Sequence, residues 1–329
     1  MNGYSPFSYQ IFPPEYFEKK AVRKTALFTG ILIVLYVLSS LFVSGFIQGF
    51  FTVFKFSVGT TAQKETIEQI SFIVTYVLTM ALPFFVFMLL TKIPAKTAFP
   101  LRKPRPSLAL PAIPLTLGMS VIGILISSIL LMLFSFLGLS YNVPPVAAPT
   151  TTFATVLYLL SMSVLPAIIE ELAFRGILMQ SLRRHGDMFA LVVSSVVFSL
   201  FHGNLLQFPN TFILGMLIGF FVLRTDSLVT GMLMHFFNNF LITVFDMYVI
   251  SQLSEAEGNF ATLALLGTYI LIGVIAFVYL IVKKKEIFKL FPSYTYLSTP
   301  KKLGAFFTQP LFLVGVGIMV IISLGFFAL

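Results

Sequence analysis

Residues 152–182 read TFATVLYLLSMSVLPAIIEELAFRGILMQSL. The run is longer than the ~20 apolar residues a membrane-crossing helix needs. No charged residue interrupts it before Glu170, after which Glu171 and Arg175 follow. An ionised side chain in hydrocarbon is costly, so such groups usually face a bundle interior and mark a functional site. Pro166 has no N–H to give to the Met162 carbonyl, which predicts a kink just before the charged residues.

Similar runs recur outward from this segment in both directions. The spacing predicts spans near 25–45 (with an apolar extension to 56), 70–90, 108–139, 152–182, 188–206, 210–223, 228–250, 260–282 and 310–329. The chain is 58% hydrophobic and 10% charged, against roughly 25% charged in soluble domains. The expected fold is therefore all-α, a polytopic transmembrane helical bundle of about nine spans. With the N-terminus cytoplasmic, all Lys and Arg except Lys55, Lys64 and Arg175 fall in loops on the cytoplasmic side.

The expected organisation is a cytoplasmic N-terminal segment, 1–24, then spans 1–3 over 25–151. A core of spans 4–8 covers 152–282, and a basic cytoplasmic linker with a last span covers 283–329. The first apolar run is too long for a cleaved signal peptide and is expected to stay as an anchor. The chain has no cysteine, which excludes disulfides, thiolate metal sites and cysteine nucleophiles. The net charge of +9 sits in loops, where it sets topology, so no nucleic-acid partner is expected. The expected partners are the lipid bilayer and, on the motifs described below, a membrane protein or peptide substrate. Absent cysteine and short loops point to a bacterial plasma membrane.

Two histidines also interrupt apolar runs, His202 and His235. Glu171 and Arg175 are i and i+4, so they can pair on one helix face. Glu170 lies about 100° round the helix and is free to face another group. His235 and Asn239 are again i and i+4, with Asn238 beside them. At about 1.5 Å per residue, Glu170, His202, His235 and Asn239 fall in one layer of the bilayer. A carboxylate beside an imidazole can take a proton from a bound water. The imidazole of His235 and the amide of Asn239 can donate to a developing oxyanion. These groups suffice for water attack on an amide without a Ser, Thr or Cys nucleophile. Asp246 is read as interfacial, His185 as a solvated loop residue, and the Gly215-xxx-Gly219 pair as a close helix contact.

Glu170-Glu171-x-x-x-Arg175, Phe198-x-x-x-His202 and His235-x-x-x-Asn239 occur in this order on separate apolar segments. Together they resemble the three motifs of the CAAX protease and bacteriocin-processing family, also called Abi, which includes the type II CAAX prenyl endopeptidases. The resemblance covers about 152–250. It implies a glutamate-dependent intramembrane endopeptidase in which Glu170 activates water with help from His202. His235 and Asn239 would form the oxyanion hole, supported by Glu171 and Arg175. No cofactor is expected on this reading. An alternative is a zinc metalloprotease with Glu170, His202 and His235 as ligands, although no HExxH pair is present. A third reading is non-enzymatic, a transporter or a bacteriocin immunity protein. Against it, the polar residues gather at one depth and form no relay across the bilayer.

Overall fold

The computed structural model describes residues 13–53, 59–141, 148–288 and 295–328. Lys55, Lys289 and the segments 1–12 and 142–147 of the sequence reading lie outside the described residues. The described chain is a helical bundle. The one β pairing among the described residues joins Ser140–Tyr141 to Phe327–Ala328, antiparallel.

Long apolar stretches with few breakers make the helices, and local chemistry sets their ends. Helix α1 is Pro14–Val53 and α2 is Thr61–Thr91. The Thr60 hydroxyl caps α2 by accepting from the Gln63 N–H at 3.3 Å. A single turn, Ala95–Ala98, precedes α3, Pro106–Phe136, which starts on a proline whose fixed φ suits the first helical position. The motif-bearing segment is α4, Thr152–His185. Then follow α5 (Asp187–Phe201), α6 (Phe208–Thr225), α7 (Leu228–Tyr248) and α8 (Glu255–Lys284). Ser254 and Glu257 close a reciprocal capping box at the start of α8. The chain ends in α9 (Thr299–Phe307) and α10 (Pro310–Leu324).

Among the described residues, seven helices are long and apolar enough to cross a membrane, and the bent pair α9–α10 makes at most eight, near the nine expected. Two causes account for the difference from nine. Helix α5 has only 15 residues, about 22 Å at the helical rise, short of the ~30 Å hydrocarbon core. The C-terminal apolar run forms α10, also of only 15 residues, opened by Pro310, and the preceding α9 is turned away from it by 71°. Helix α5 also ends sooner than its sequence implied. Gly203 turns the chain at φ 58°, and the Asn204 side chain accepts from the Leu206 N–H at 3.0 Å. His202 is thus the residue that closes α5, not a mid-span residue.

Segment α4 also departs from a simply kinked helix. It contains two π-helical stretches, Leu160–Val164 and Glu171–Leu178, separated by an α-helical stretch, Leu165–Glu170. Pro166 lies in that middle stretch, and the second π stretch begins at Glu171. Such insertions are rare and are frequent at functional sites.

The core gathers α4, α5, α6 and α7 around a set of phenylalanine rings. Phe174 stands edge-on to Phe84, Phe198 and Phe201, with centroids 5.0–5.1 Å apart. The expected small-residue contact is present: a Cβ on Gly215 would meet Ser195 at 3.1 Å, and one on Gly219 would meet Leu191 at 2.7 Å. These two glycines let α6 lie close against α5.

At the basic end, α1, the end of α4 and α9 are tied by buried polar groups. Lys302 is fully buried, and its Nζ donates to the His185 carbonyl at 2.6 Å and to Thr295 Oγ1 at 2.9 Å. The Thr25 hydroxyl accepts from Arg184 Nη2 at 2.9 Å and lies 3.0 Å from His185 Nε2. Glu18 accepts from the Leu297 N–H at 2.7 Å. His185 is only 3% exposed, so it is a buried tie and not a solvated loop residue. A charged neighbourhood in the sequence, Arg183-Arg184-His185, suggested solvent, but α1 and α9 cover it. Asp246 is exposed, in keeping with an interfacial position.

Candidate active site

Glu170 and Glu171 straddle the junction between the α-helical and π-helical parts of α4 and point to different partners. Glu171 is fully buried. Its Oε1 accepts from Arg175 Nη1 at 2.7 Å and lies 3.0 Å from His235 Nδ1. The i,i+4 pairing read from the sequence is therefore present. Arg175 is 1% exposed. Its second guanidinium nitrogen reaches the Gly215 carbonyl at 3.4 Å, and its plane lies 4.2 Å from the centre of the Phe198 ring. A buried guanidinium needs this many partners to offset its lost hydration.

Helix α7 can approach this pair because residue 231 is glycine. A Cβ there would stand 2.9 Å from Glu171 Oε2 and 2.7 Å from Val222 Cγ2. One turn further along α7, His235 faces the two glutamates. With Nδ1 on Glu171, its Nε2 lies 3.8 Å from Glu170 Oε2. An ionised carboxylate paired with arginine has no proton to give. The short contact thus makes His235 Nδ1 the donor to Glu171, the tautomer that in a neutral ring turns the Nε2 lone pair toward Glu170. This is the carboxylate–histidine arrangement that fixes an imidazole's tautomer and ring orientation.

Glu170 is held from the other side. The Tyr76 hydroxyl of α2 donates to its Oε1 at 2.7 Å, while its Oε2 is buried without a hydrogen-bond partner. Tyr76 was missed by sequence reasoning. It sits in an apolar, aromatic-rich stretch, and the only signal was a hydroxyl at mid-span. The Glu170 Oε2 oxygen faces His235 Nε2 across 3.8 Å.

The remaining two expected residues sit at the edge of this centre. His202 Nδ1 lies 3.0 Å from the Phe198 carbonyl, so it donates there. Its ring stands edge-on to Phe198 at 4.9 Å, and Phe198 in turn stands 6.1 Å from His235. Among the described residues, the glutamates' ion pairs are with Arg175 and His235, and His202 makes none with them. Asn239 Nδ2 donates to the Met162 carbonyl at 3.4 Å, and its Oδ1 accepts from Asn238. Met162 lies in the first π-helical stretch of α4, one turn before Pro166. The asparagine of α7 thus reaches the backbone of α4 where the proline disturbs its hydrogen bonding. Met162, Asn239 and His202 are all half-buried.

The donor set does not fit the zinc arrangement. Among the described residues, no three His, Cys, Asp or Glu side chains stand together as a metal-ligand group. Glu170 and His235 face one another, but His202 is not drawn to the same point.

The fold and site define a polytopic helical membrane bundle with a buried carboxylate–imidazole centre. A family model described as type II CAAX prenyl endopeptidase Rce1-like matches residues 151–241. That stretch holds all six expected site residues and agrees with the resemblance read from the motifs. It points to a membrane protease of the CAAX type. No curated protein and no solved structure matches the chain.

Proposed function

We propose that this chain is an intramembrane endopeptidase in which Glu170 is the general base for water attack on a peptide carbonyl. The observation that carries the reading is His235 lodged between two adjacent glutamates, Nδ1 on Glu171 and Nε2 toward Glu170. A water seated beside this pair, within hydrogen-bond reach of both atoms, can donate one proton to Glu170 Oε2 and the other to His235 Nε2, leaving an oxygen lone pair for the substrate carbon. As the C–O bond forms, the proton passes to Glu170. As the C–N bond breaks, Glu170 returns it to the leaving amine.

Two features support this division of labour. Tyr76 pins one Glu170 oxygen, so the other is the one available for water. Glu171 and Arg175 neutralise one another and orient the imidazole. The geometry favours His235 over His202 as the imidazole that shares the water. Asn239 has a second amide hydrogen for the oxyanion. His202, at the end of α5 with Nδ1 committed to the backbone, has Nε2 left to contact the substrate. The substrate is a membrane-associated protein or peptide, of the CAAX, pheromone-precursor or bacteriocin-precursor kind, at a bacterial plasma membrane.

The test compares membrane peptides from cells carrying wild-type protein and Glu170→Gln. Glutamine keeps the carbonyl that accepts from Tyr76 but cannot take a proton. The expected result is a precursor that accumulates only with Glu170→Gln, at unchanged protein level. Identical peptide profiles would sink the reading. Activity lost on exhaustive chelation and restored by zinc alone would favour the metal alternative.

A further inference from the structure

Helices α3 and α8 touch backbone to backbone at Gly118 and Gly273: a Cβ on Gly118 would meet the Gly273 Cα at 2.9 Å. On the outside of this crossing lies a groove of about 370 Å³, walled by Leu115, Met119, Ile122, Ile270, Val274 and Phe277. Toward the basic end of the same helix pair lies a second cavity of about 580 Å³. Its charged walls are Arg105, Arg224, Lys283, Lys284 and Lys285, with Glu286 as the single acid. It is also lined by Ser107, in the first turn of the 31-residue α3, whose dipole adds positive potential there.

The two cavities are joined by aromatic rings. Phe277, from the groove wall, stands 6.2 Å from Phe288, which stacks on Phe220 at 6.1 Å. The guanidinium of Arg224, from the basic cavity, lies 5.5 Å from the Phe220 ring. From Val282, which lines the basic cavity, to Ile270 at the far end of the groove, α8 rises about 18 Å, and the groove itself, from Phe277 to Ile270, takes up about 10 Å of this. A strongly cationic pocket thus lies in line with an apolar groove on the same helix pair.

We infer that this α3–α8 surface is a binding site for one anionic phospholipid, its phosphate in the basic cavity and an acyl chain along the groove. The charge excess selects the headgroup, and the Phe277–Phe288–Phe220 floor keeps head and tail sites in one register. Neither part lies at Glu170, so the site is separate from the proposed chemistry and its occupancy is read without any substrate.

The test is native mass spectrometry of the full chain released from nanodiscs of mixed phosphatidylglycerol and phosphatidylcholine. Wild type is expected to retain one phosphatidylglycerol, about tenfold or more over phosphatidylcholine given several cationic side chains at the headgroup. The triple change Lys283→Gln, Lys284→Gln, Lys285→Gln is expected to abolish that preference. Val274→Trp fills the groove from its exposed side, leaves every cation in place, and is expected to lose the retained lipid. Equal retention of both lipids by wild type would overturn the inference. So would variants that retain phosphatidylglycerol as wild type does. Displacement of the lipid by millimolar inorganic phosphate would show a free-anion site and would also overturn it. Thermal unfolding of each variant in detergent identifies any that fails to fold; Ile122→Trp then replaces Val274→Trp.

Discussion

His235 Nδ1 lies 3.0 Å from Glu171 Oε1, so the more deeply buried glutamate of the pair is the one that orients the imidazole. Adjacent carboxylates here do different work, and their substitutions should separate. Replacing Glu171 by Ala leaves Arg175 charged and buried with only a carbonyl and a ring. Breaking a buried pair in this way costs about 3–5 kcal/mol. Glu171→Ala is expected to lower thermal stability in detergent, whereas Glu170→Gln is expected to unfold with wild type. Equal unfolding temperatures for the two variants would refute the division.

Tyr76 contributes one hydroxyl to the centre and is expected to matter through geometry. Tyr76→Phe removes a hydrogen bond to a carboxylate, worth about 1.5–3 kcal/mol. Turnover is expected to fall roughly 10- to 100-fold by the same free energy, with KM nearly unchanged. Steady-state kinetics on a purified membrane peptide would check this, and an unaltered kcat would show that Glu170 needs no pinning.

The contact between Asn239 and Met162 makes a prediction that separates structure from catalysis. Pro166→Ala supplies a backbone N–H just after the first π stretch of α4, within reach of the Ser161 and Met162 carbonyls and able to compete with Asn239. Asn239→Ala should then cost less stability in the Pro166→Ala background, by about 0.5–1.5 kcal/mol of coupling. Its effect on turnover should be the same in both backgrounds if the amide also serves the oxyanion. A double-mutant cycle by chemical denaturation, run beside kinetics, reads both quantities.

Gly231 is where α7 meets Glu171. Gly231→Ala places a methyl 2.9 Å from Glu171 Oε2 and 2.7 Å from Val222, against buried neighbours with little room to yield. Overpacking of this kind costs about 1–3 kcal/mol. The imidazole should also move away from Glu170, so activity is expected to fall further than stability alone explains. Retained activity in a folded Gly231→Ala protein would show that the His235 position is not critical.

Much of this arrangement was legible in the residues themselves. Glu171 and Arg175 announced their pairing by helical spacing, and apolar length alone gave the all-α membrane bundle. Where the reading fell short, the cause was tertiary. Apolar sequence continues past Phe201, yet Gly203 and Asn204 end α5, a turn signal outweighed by the hydrophobic run. The π stretches of α4 depend on how backbone donors are shared around Pro166, and no side-chain pattern reports that. His185 and Lys302 are ionisable residues of ordinary loop composition, and only the folded chain shows them covered. Tyr76 carries no local mark, because its role comes from a partner 94 residues away.

The clasp at the basic end has a bearing on modularity. Lys302 and Thr25 secure the tail of the motif-bearing helix from opposite ends of the chain. Excising residues 151–241 as a minimal enzyme would strip the partners from His185 and Arg184 and remove Tyr76 from Glu170. The motif-bearing stretch is thus a keystone, held in place by helices that lie outside it. Attempts to graft it into another membrane scaffold must carry the flanking helices with it.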